Sequence, residues 1–247
     1  TEVPTEEPTE VPTEEPTEMP TEEPTTVVPT TEIPTETPAT YTECWSDEPV
    51  SASITELVVD EGKCGDVTEV DLSKYSRLER IVFGANSFQQ ARSLTLSNIN
   101  YLVSVVFKEG AFRYADDLWL DNLPVLETLD MEGDNFNGSE GGRRLAESGS
   151  GIHISSSSLK RLTIPKSSFK TATVVEISDT PLEQLTIMDG GLPNVKEVTI
   201  SNVDTLQKVK IGKGALSSCE VLTLTDCNID AENVDDMIQL GEGALPN

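Results

Sequence analysis

The residue types that most often carry enzyme chemistry are scarce in this sequence. It contains one histidine and four cysteines, and no two cysteines have the C-x-x-C spacing that zinc sites use. The histidine, His153, has no hydroxyl or thiol partner in the sequence pattern that would make it a catalytic base. We therefore predict no catalytic residue, no metal and no cofactor, and we do not expect an enzyme.

The cysteines allow one covalent link. Cys44 and Cys64 stand in the segments ECWSDEPV and EGKCGD. A disulfide between them would fit an oxidising compartment, but sequence does not give the geometry, so the bonded and free forms both stay open. Cys219 and Cys227 fall among small or apolar residues of the repeat described below, and we expect both to be buried thiols.

Carboxylates offer an alternative chemistry. Asp130 lies near Glu127, and paired carboxylates carry out glycoside hydrolysis. A carbohydrate-active β-helix enzyme, of the polysaccharide lyase or hydrolase kind, would gather several Asp, Lys and Arg side chains in one cleft. The outward positions of the repeat bring no other carboxylates together, so this enzyme is kept as the alternative to a binding protein.

A repeat of 24 residues positions these side chains. The stretches LERIVFGANSFQQARSLTLSNINY, LVSVVFKEGAFRYADDLWLDNLPV and LETLDMEGDNFNG begin at Leu78, Leu102 and Leu126, each 24 residues after the last. The same frame includes Ile54 upstream and resumes at Leu159, so that seven turns are visible. A fixed period of this size is typical of solenoids.

Each unit contains two short runs of alternating apolar residues, such as Ile81 and Phe83 followed by Leu94 and Leu96. Period-two alternation of aliphatic and β-branched residues predicts strands, and neither half of the unit has room for a long helix. Stacking equivalent strands about 4.8 Å apart turns columns of like residues into a continuous core. We therefore predict a mostly β repeat solenoid with two short strands per unit.

The outward positions of these strands supply the candidate binding residues. The middle residue of the second strand points away from the core, which places Trp119 and then His153 on the solvent face. Exposed aromatics are common at interfaces, although Trp119 could also pack under the neighbouring loop or against Tyr114. A second candidate is an apolar stripe on the first strands, formed by Val58, Val82 and Val106.

A polar column follows the second strand. Its members are Asn or Asp in most turns, at Asn98, Asn122, Asp179, Asn202 and Asp226. Such side chains bond backbone groups where a chain turns, and in a stacked array they can also reach the neighbouring coil. We interpret this column as structural.

The units LKRLTIPKSSF, LQKVKIGKGAL and LVSVVFKEGAF resemble leucine-rich repeats of the BspA-like class over roughly residues 54 to 229. The resemblance implies a leucine-rich-repeat fold and a secreted or cell-surface binding protein of bacteria or protists, often an adhesin. It carries no catalytic residues to this chain. The 24-residue unit and its LSN step after the second strand depart from the usual repeat of the class.

The segment before the repeats has a different amino-acid composition. Residues 1–43 contain twelve Glu, no basic residue and a proline at nearly every fourth position. Low apolar content and mutual repulsion predict a disordered, extended spacer, whose threonines are plausible O-glycan acceptors. We divide the chain into this spacer, a cap at 44–53 and a solenoid at 54–247.

The net charge of the chain limits the classes of molecule that it can bind. The chain carries a net charge of −27, of which −12 belongs to the spacer and the remaining −15 to residues 44–247. An acidic solenoid repels nucleic acid and anionic lipid headgroups, and no apolar run reaches the length of about 18 residues that a membrane helix needs. We expect neither nucleic-acid binding nor membrane insertion.

The period breaks at two places. Leu126 and Leu159 are 33 residues apart, and the excess forms a predicted loop at 137–151 that holds the sequon at Asn137 and the dibasic pair Arg143 and Arg144. Near the end, QLGEGAL at 239–245 repeats KIGKGAL at 210–216 after 29 residues. The sequence stops inside this unit, and we expect a truncated C-terminal end.

Together these patterns predict a non-enzymatic recognition or adhesion module. We expect an extracellular or cell-surface protein that binds a protein or glycan partner through its solenoid, held out on the spacer as a stalk.

Overall fold

The computed structural model describes residues 39–41, 54–72, 75–138, 149–228 and 234–246. Within them the chain forms a parallel, mostly β solenoid of about seven turns, which confirms the prediction of a mostly β solenoid. The one helix of the described residues is the short α1, Val234–Met237.

The strands alternate along the chain between two series. The first-strand series is β1 Ala39–Tyr41, β2 Glu56–Val59, β3 Arg80–Phe83, β5 Ser104–Phe107, β7 Thr128–Met131, β9 Arg161–Ile164, β11 Gln184–Ile187, β13 Lys208–Ile211 and β15 Ile238–Leu240. The second-strand series is β4 Ser93–Ser97, β6 Asp117–Leu123, β8 Gly151–Ser157, β10 Val174–Ser178, β12 Glu197–Ser201 and β14 Val221–Thr225. In the first turn the second strand is reduced to a single bridge, from Asp71 to Thr95.

Three parallel sheets result. The second strands form one unbroken sheet in the order β14, β12, β10, β8, β6, β4. The first strands form two sheets, one of β1, β2, β3, β5 and β7 and the other of β15, β13, β11 and β9. Strand partners are residues one repeat apart, for example Leu57 with Ile81 and Leu185 with Val209, because that register keeps the apolar columns of the core aligned from coil to coil.

The core is built from columns of like residues, as the repeat predicts. Phe83, Phe88, Phe112, Phe136 and Phe169 are fully buried. The rings of Phe88 and Phe112 stack with centroids 4.6 Å apart, and those of Phe136 and Phe169 lie 5.0 Å apart. Stacked aromatics of this kind bury a large apolar area in a fixed geometry.

Both corners of each coil use left-handed backbone. The exposed corner after the second strand carries the Asn and Asp column, with φ of 58° at Asn98 and 51° at Asp179. The corner after the first strand carries the buried aromatic column, with φ of 53° at Phe112 and 54° at Leu192. Left-handed Asn is common, whereas left-handed Phe is strained, so the second corner depends on the apolar burial that it gains.

The first-strand sheet is interrupted between β7 and β9. At other turns the residue after the first strand donates its N–H to the coil below, as Glu132 does to the carbonyl of Phe107 at 3.0 Å and Met188 to that of Ile164 at 3.0 Å. The residue in that place after β9 is Pro165, which has no N–H to donate to Met131. The extra residues of the longest unit fall on this same coil.

The described residues include parts of the predicted spacer and of the predicted last unit, so both predictions can be compared with the structure. The spacer prediction for 1–43 is wrong at β1, because Ala39–Tyr41 pairs in parallel with β2 and extends the sheet. The rest of that range, and the predicted cap at 44–53, lie outside the described residues. The predicted equivalence of QLG with KIG is confirmed, since Gln239 pairs with Lys210 and Leu240 with Ile211.

Candidate functional site

The outer face of the second-strand sheet carries a row of side chains in strict register. We call the part formed by Thr95, Trp119, His153 and Glu176 the Trp119 shelf. These four residues stand on β4, β6, β8 and β10 and pair directly across each strand boundary. Adjacent strands place them about 4.8 Å apart.

Trp119 and His153 form one unit rather than two independent contacts. Their rings are parallel, with centroids 3.6 Å apart and planes inclined by 7°. Trp119 is 42% exposed, as predicted, but His153 is only 8% exposed, so its predicted solvent-facing position is wrong. His153 does lie on the outer side of the strand, where the stacked indole and its own hydrogen-bond partners cover it.

Both nitrogens of His153 face oxygen atoms. Nδ1 lies 2.8 Å from Glu176 Oε2, and Nε2 lies 3.0 Å from the backbone carbonyl of Gly149. The imidazolium form donates from both nitrogens and satisfies both contacts. The two contacts fix the ring that supports Trp119.

The valine stripe is continuous but only half-exposed. Val58, Val82 and Val106 are register partners on β2, β3 and β5, and the next partner, on β7, is Asp130. Each valine is partly covered by its neighbours on the sheet. The stripe therefore presents less apolar surface than the sequence pattern suggests.

The interruption of the first-strand sheet opens a groove, which we call the β7/β9 slot. Its cavity measures about 640 Å³ and is lined by Leu129, Met131 and charged residues of both strands. The coils meet again beyond it, where the amide of Asn135 donates to Ser168 Oγ at 3.1 Å. At the other end Ser158 Oγ donates to the carbonyl of Pro124.

Charges of both signs line the slot. Glu127, Asp130 and Glu132 share it with Lys108 and Arg161. Lys108 Nζ lies 2.5 Å from Glu132 Oε1, and this ion pair lowers the pKa of the Glu132 carboxyl. Glu127 and Asp130, which sequence analysis considered for glycoside chemistry, thus lie in one cavity with a guanidinium and an ammonium group.

The Asn and Asp column forms side-chain bridges between coils. Asn122 Nδ2 donates to Asn98 Oδ1 at 2.7 Å, and Asn202 Nδ2 donates to Asp179 Oδ1 at 3.1 Å. Asp226, like the others, has left-handed backbone, with φ of 51°. Ser156 holds the same left-handed corner, with φ of 49°, between Asn122 and Asp179.

The four cysteines differ in state. Cys64 is disulfide-bonded, whereas Cys219 and Cys227 are free. Burial raises the pKa of both free thiols, and neighbouring acidic residues raise it further. Cys44, the predicted partner of Cys64, lies outside the described residues.

The predicted sequon is engaged in the fold. Asn137 is half-buried, its Nδ2 donates to Asp134 Oδ1 at 2.8 Å, and its Oδ1 accepts from the amide of Lys170 at 3.3 Å. A glycan on Nδ2 would have to displace the contact with Asp134. The centre of the predicted insertion, including Arg143 and Arg144, lies outside the described residues.

Two features of the structure do not follow from the sequence patterns described above. Asn135 is fully buried, and its side chain bonds the carbonyls of Lys108 and Ala111 and the amide of Gly133. Tyr101 is 60% exposed and Val125, at the equivalent place in the next unit, is 39% exposed. In other units the position of Asn135 is held by small residues, which weakly indicates that the position is buried. No sequence pattern predicts the exposure of Tyr101.

Two further properties hold for the described part of the chain. It contains no group of three or more His, Cys, Asp or Glu side chains placed to hold a metal ion. Nor does any helix in it have the length and hydrophobicity to cross a membrane.

No family model, no curated protein and no solved structure matches this chain.

Proposed function

We propose that this protein is a non-enzymatic recognition or adhesion module of the cell surface or extracellular space, similar to BspA-like leucine-rich-repeat proteins. It binds a protein or glycan partner through the outer face of the second-strand sheet, and residues 1–38 serve as a stalk. Repeated strands give such a module an extended, stiff surface on which contacts are spaced regularly.

The observation that carries the proposal is the Trp119 shelf. Trp119 is a large aromatic side chain, 42% exposed on a sheet, whose ring is held parallel to a buried histidine at 3.6 Å. Aromatic anchors dominate binding energies, and a side chain already fixed in place loses little entropy when a ligand arrives. An exposed indole supported in this way is suited to contact a partner.

The cysteines support the proposed location. Cys64 is disulfide-bonded, and structural disulfides persist in secreted and surface proteins but are rare in the cytosol. Intact-mass spectrometry of the chain from its native source tests this point. A reducible link and heterogeneous glycan on the spacer threonines are expected, whereas four reduced thiols with unmodified threonines would contradict the location.

Arrays of glycans and of host or microbial cells test the function. The full chain is compared with Trp119→Ala and with Thr223→Ala, a control in the same outward row at the other end of the sheet. We expect at least one class of ligand to bind the native chain and the control, and to lose most of its binding to Trp119→Ala. Equal binding by all three proteins would refute the shelf as the recognition site.

A second candidate function is favoured by the β7/β9 slot. A carbohydrate-active enzyme needs acidic and basic groups in one cleft, and Glu127, Asp130 and Arg161 share a cavity of about 640 Å³. Release of reducing ends from acidic and neutral polysaccharides is the assay, with Asp130→Asn as the test variant. Activity that is lost in this variant would replace the binding proposal, and no release from any polysaccharide would remove the candidate.

A further inference from the structure

We propose that the outer face of the first-strand sheet formed by β9, β11 and β13 binds an acidic polysaccharide. We call this surface the β9–β13 face, and its outward side chains are Arg161, Thr163, Gln184, Thr186, Lys208 and Lys210. The Trp119 shelf belongs to the other sheet, so this is a second binding surface beyond the function proposed above. The inference depends on the sign of the charges on the face, on their lack of ion-pair partners, and on the groove beside them.

The charged side chains of the β9–β13 face are all positive. Its outward positions are Lys, Arg, Thr or Gln, and none is Asp or Glu. On β15 the register partner of Lys210 is Gln239, which is also uncharged. The whole chain contains 44 Asp and Glu but only 17 Lys and Arg, so the face reverses the charge of its surroundings. Distant charges are screened over about 8 Å at physiological salt, so the side chains in contact with a ligand decide which charge it must carry.

The cations of this face also lack the partners that other cations have. Elsewhere in the described residues, lysines and arginines lie beside carboxylates, in the pairs Arg80–Glu56, Lys108–Glu132, Arg113–Asp134, Lys170–Asp134, Lys196–Glu220 and Lys213–Glu242. Arg161, Lys208 and Lys210 form no ion pair with any described residue. Arg161 borders the β7/β9 slot and its carboxylates. Lys208 and Lys210, two strands and about 10 Å further on, are therefore the centre of the face.

Neutral hydrogen-bonding groups alternate with these cations. Gln184 is the register partner of both Lys208 and Arg161, and Thr186 is the partner of Lys210. Adjacent strands place such partners about 4.8 Å apart. Gln184 Nε2 donates to Thr186 Oγ1 at 3.1 Å, which leaves the hydroxyl hydrogen of Thr186 and the Oε1 atom of Gln184 for a ligand.

A groove at one edge of the face adds a further cation and an apolar surface. Its cavity measures about 310 Å³ and is lined by Lys166, Thr186, Ile187, Met188, Asp189, Lys210 and Gly212. Asp189 Oδ1 accepts from the backbone amide of Lys213 at 2.8 Å. The groove thus holds two ammonium groups and one carboxylate that already has a donor. Met188 is 46% exposed and supplies the apolar part of the groove.

This combination of groups fits an acidic polysaccharide. Ammonium and guanidinium groups form charge-assisted hydrogen bonds with carboxylate or sulfate groups, while Thr and Gln bond to sugar hydroxyls. The adaptable thioether of Met188 can pack against the C–H groups of a sugar ring. A neutral sugar would leave the cations without a counter-charge.

Nucleic acid fits the same surface less well. Single strands bind through aromatic side chains on which bases stack, and the face and its groove include no aromatic residue among the side chains named above. Tight binding of a DNA duplex draws on about six to ten phosphate contacts, more than Arg161, Lys208, Lys210 and Lys166 can supply.

Binding of polysaccharides to the full chain tests the inference. The probes are heparin, which is sulfated, polygalacturonate, which is carboxylated, neutral dextran and a DNA duplex. Affinity is measured by calorimetry at low and at physiological salt. We expect at least one of the two acidic polysaccharides to bind, with an affinity that falls as salt rises, and dextran not to bind.

Two double variants with the same change in net charge locate the binding. Lys208→Gln combined with Lys210→Gln should weaken binding of the acidic polysaccharide about threefold to thirtyfold. The control is Lys63→Gln combined with Lys196→Gln, at residues that follow β2 and precede β12, and it should leave the affinity within error. Lys210→Glu should weaken binding more than Lys210→Gln alone, because it places a second carboxylate in the groove. Circular dichroism of each variant checks that the solenoid remains folded.

The outcomes separate this inference from the recognition function proposed above. Binding that is lost only in the Lys208 and Lys210 variants, and is kept in Trp119→Ala, supports the β9–β13 face. No binding of either acidic polysaccharide, or an equal loss in the control, overturns it. Tighter binding of the DNA duplex through the same lysines also overturns it and assigns the face to nucleic acid. None of these failures affects the Trp119 shelf, which the cell and glycan arrays test through Trp119→Ala.

Discussion

Asn135 shows how much one buried polar side chain can organise. Its amide group joins three backbone groups, with distances of 2.9 Å to the carbonyl of Lys108, 3.0 Å to that of Ala111 and 3.1 Å from the amide of Gly133. Removing the side chain leaves these groups buried without partners, which costs more than the hydrogen bonds themselves contribute. The residue thereby ties the coil of β7 to the coil before it.

Asn135→Ala should therefore lower the free energy of unfolding by about 2–4 kcal/mol. Denaturant unfolding followed by circular dichroism measures the change. Asn194→Ala is the matched control, because Asn194 is exposed and makes one bond, to the carbonyl of Lys170 at 2.7 Å. A loss no larger in Asn135→Ala than in this control would show that water replaces the buried amide without penalty.

The free thiols allow a prediction about reactivity. Burial raises the pKa of Cys219 and Cys227, so a smaller fraction of each is thiolate, the form that attacks alkylating reagents, at neutral pH. We expect iodoacetamide to modify both slowly in the folded chain, and faster as pH rises toward the raised pKa. Mass spectrometry should find two modified cysteines after unfolding and four only after reduction.

Rapid modification of either thiol at neutral pH would contradict the burial of that side chain. Three or more modified cysteines without reductant would show that the disulfide of Cys64 is absent in solution. Cys219 is the stricter test of the two, because it is 5% exposed whereas Cys227 is half-buried.

At the scale of elements, the row of side-chain bridges at the exposed corner is interrupted at Ser156. Ser156 has the same left-handed backbone as Asn122 and Asp179, on either side of it, but lacks an amide side chain. Asn tolerates this conformation, and its Nδ2 could donate to Asn122 Oδ1 in the same direction as Asn122 Nδ2 donates to Asn98 Oδ1. Ser156→Asn should extend the bridging across the insertion coil.

We expect Ser156→Asn to raise stability by about 0.5–1.5 kcal/mol, the usual net value of a hydrogen bond. Thermal unfolding of the full chain measures it. Ser156→Asp is the control, since it has a similar shape and tolerates the same backbone but cannot donate, and it places a second carboxylate beside Asp179. If both variants stabilise the chain equally, backbone preference and not bridging explains the effect.

The elements were predictable because the sequence repeats its own pattern. Period-two alternation set the strands, and the 24-residue offset set their register, since a shift of one residue would turn Leu94 and Leu96 toward water. The left-handed Phe corner was not predictable, because no propensity scale places Phe112 there and only core burial explains it. The repeat gave the position of Trp119, but not the burial of His153, which depends on contacts with Gly149 and Glu176.

The β7/β9 slot also could not be predicted from the repeat pattern, because it depends on contacts between two coils. A 33-residue spacing and a proline were visible in the sequence, yet a tolerated surface loop was the simplest interpretation. The opening of the sheet follows only when Pro165 is placed opposite the carbonyl of Met131, a relation between two coils. Asp130 and Arg161 come to share a cavity for that reason.

At the scale of the whole molecule, the interrupted sheet divides the first-strand face into two parts that the second-strand sheet joins. Solenoid stability is approximately a sum of contacts between neighbouring repeats, so the first-strand side of the interface between the coils of β7 and β9, which lacks a strand ladder, is a weak joint. Opening of such a joint exposes backbone amides locally while the rest of the array stays folded.

Hydrogen exchange should reveal this joint through equivalent residues of adjacent turns. The amide of Gln184 donates to the carbonyl of Lys160 at 3.1 Å, while Arg161, one repeat earlier, has no such bond across the slot among the described contacts. We expect the Arg161 amide to exchange at least about a hundredfold faster than that of Gln184. Amides of β8 in the unbroken sheet, such as Ile154, serve as the reference for a closed interface, and protection of Arg161 equal to theirs would mean that the first-strand sheet is continuous in solution.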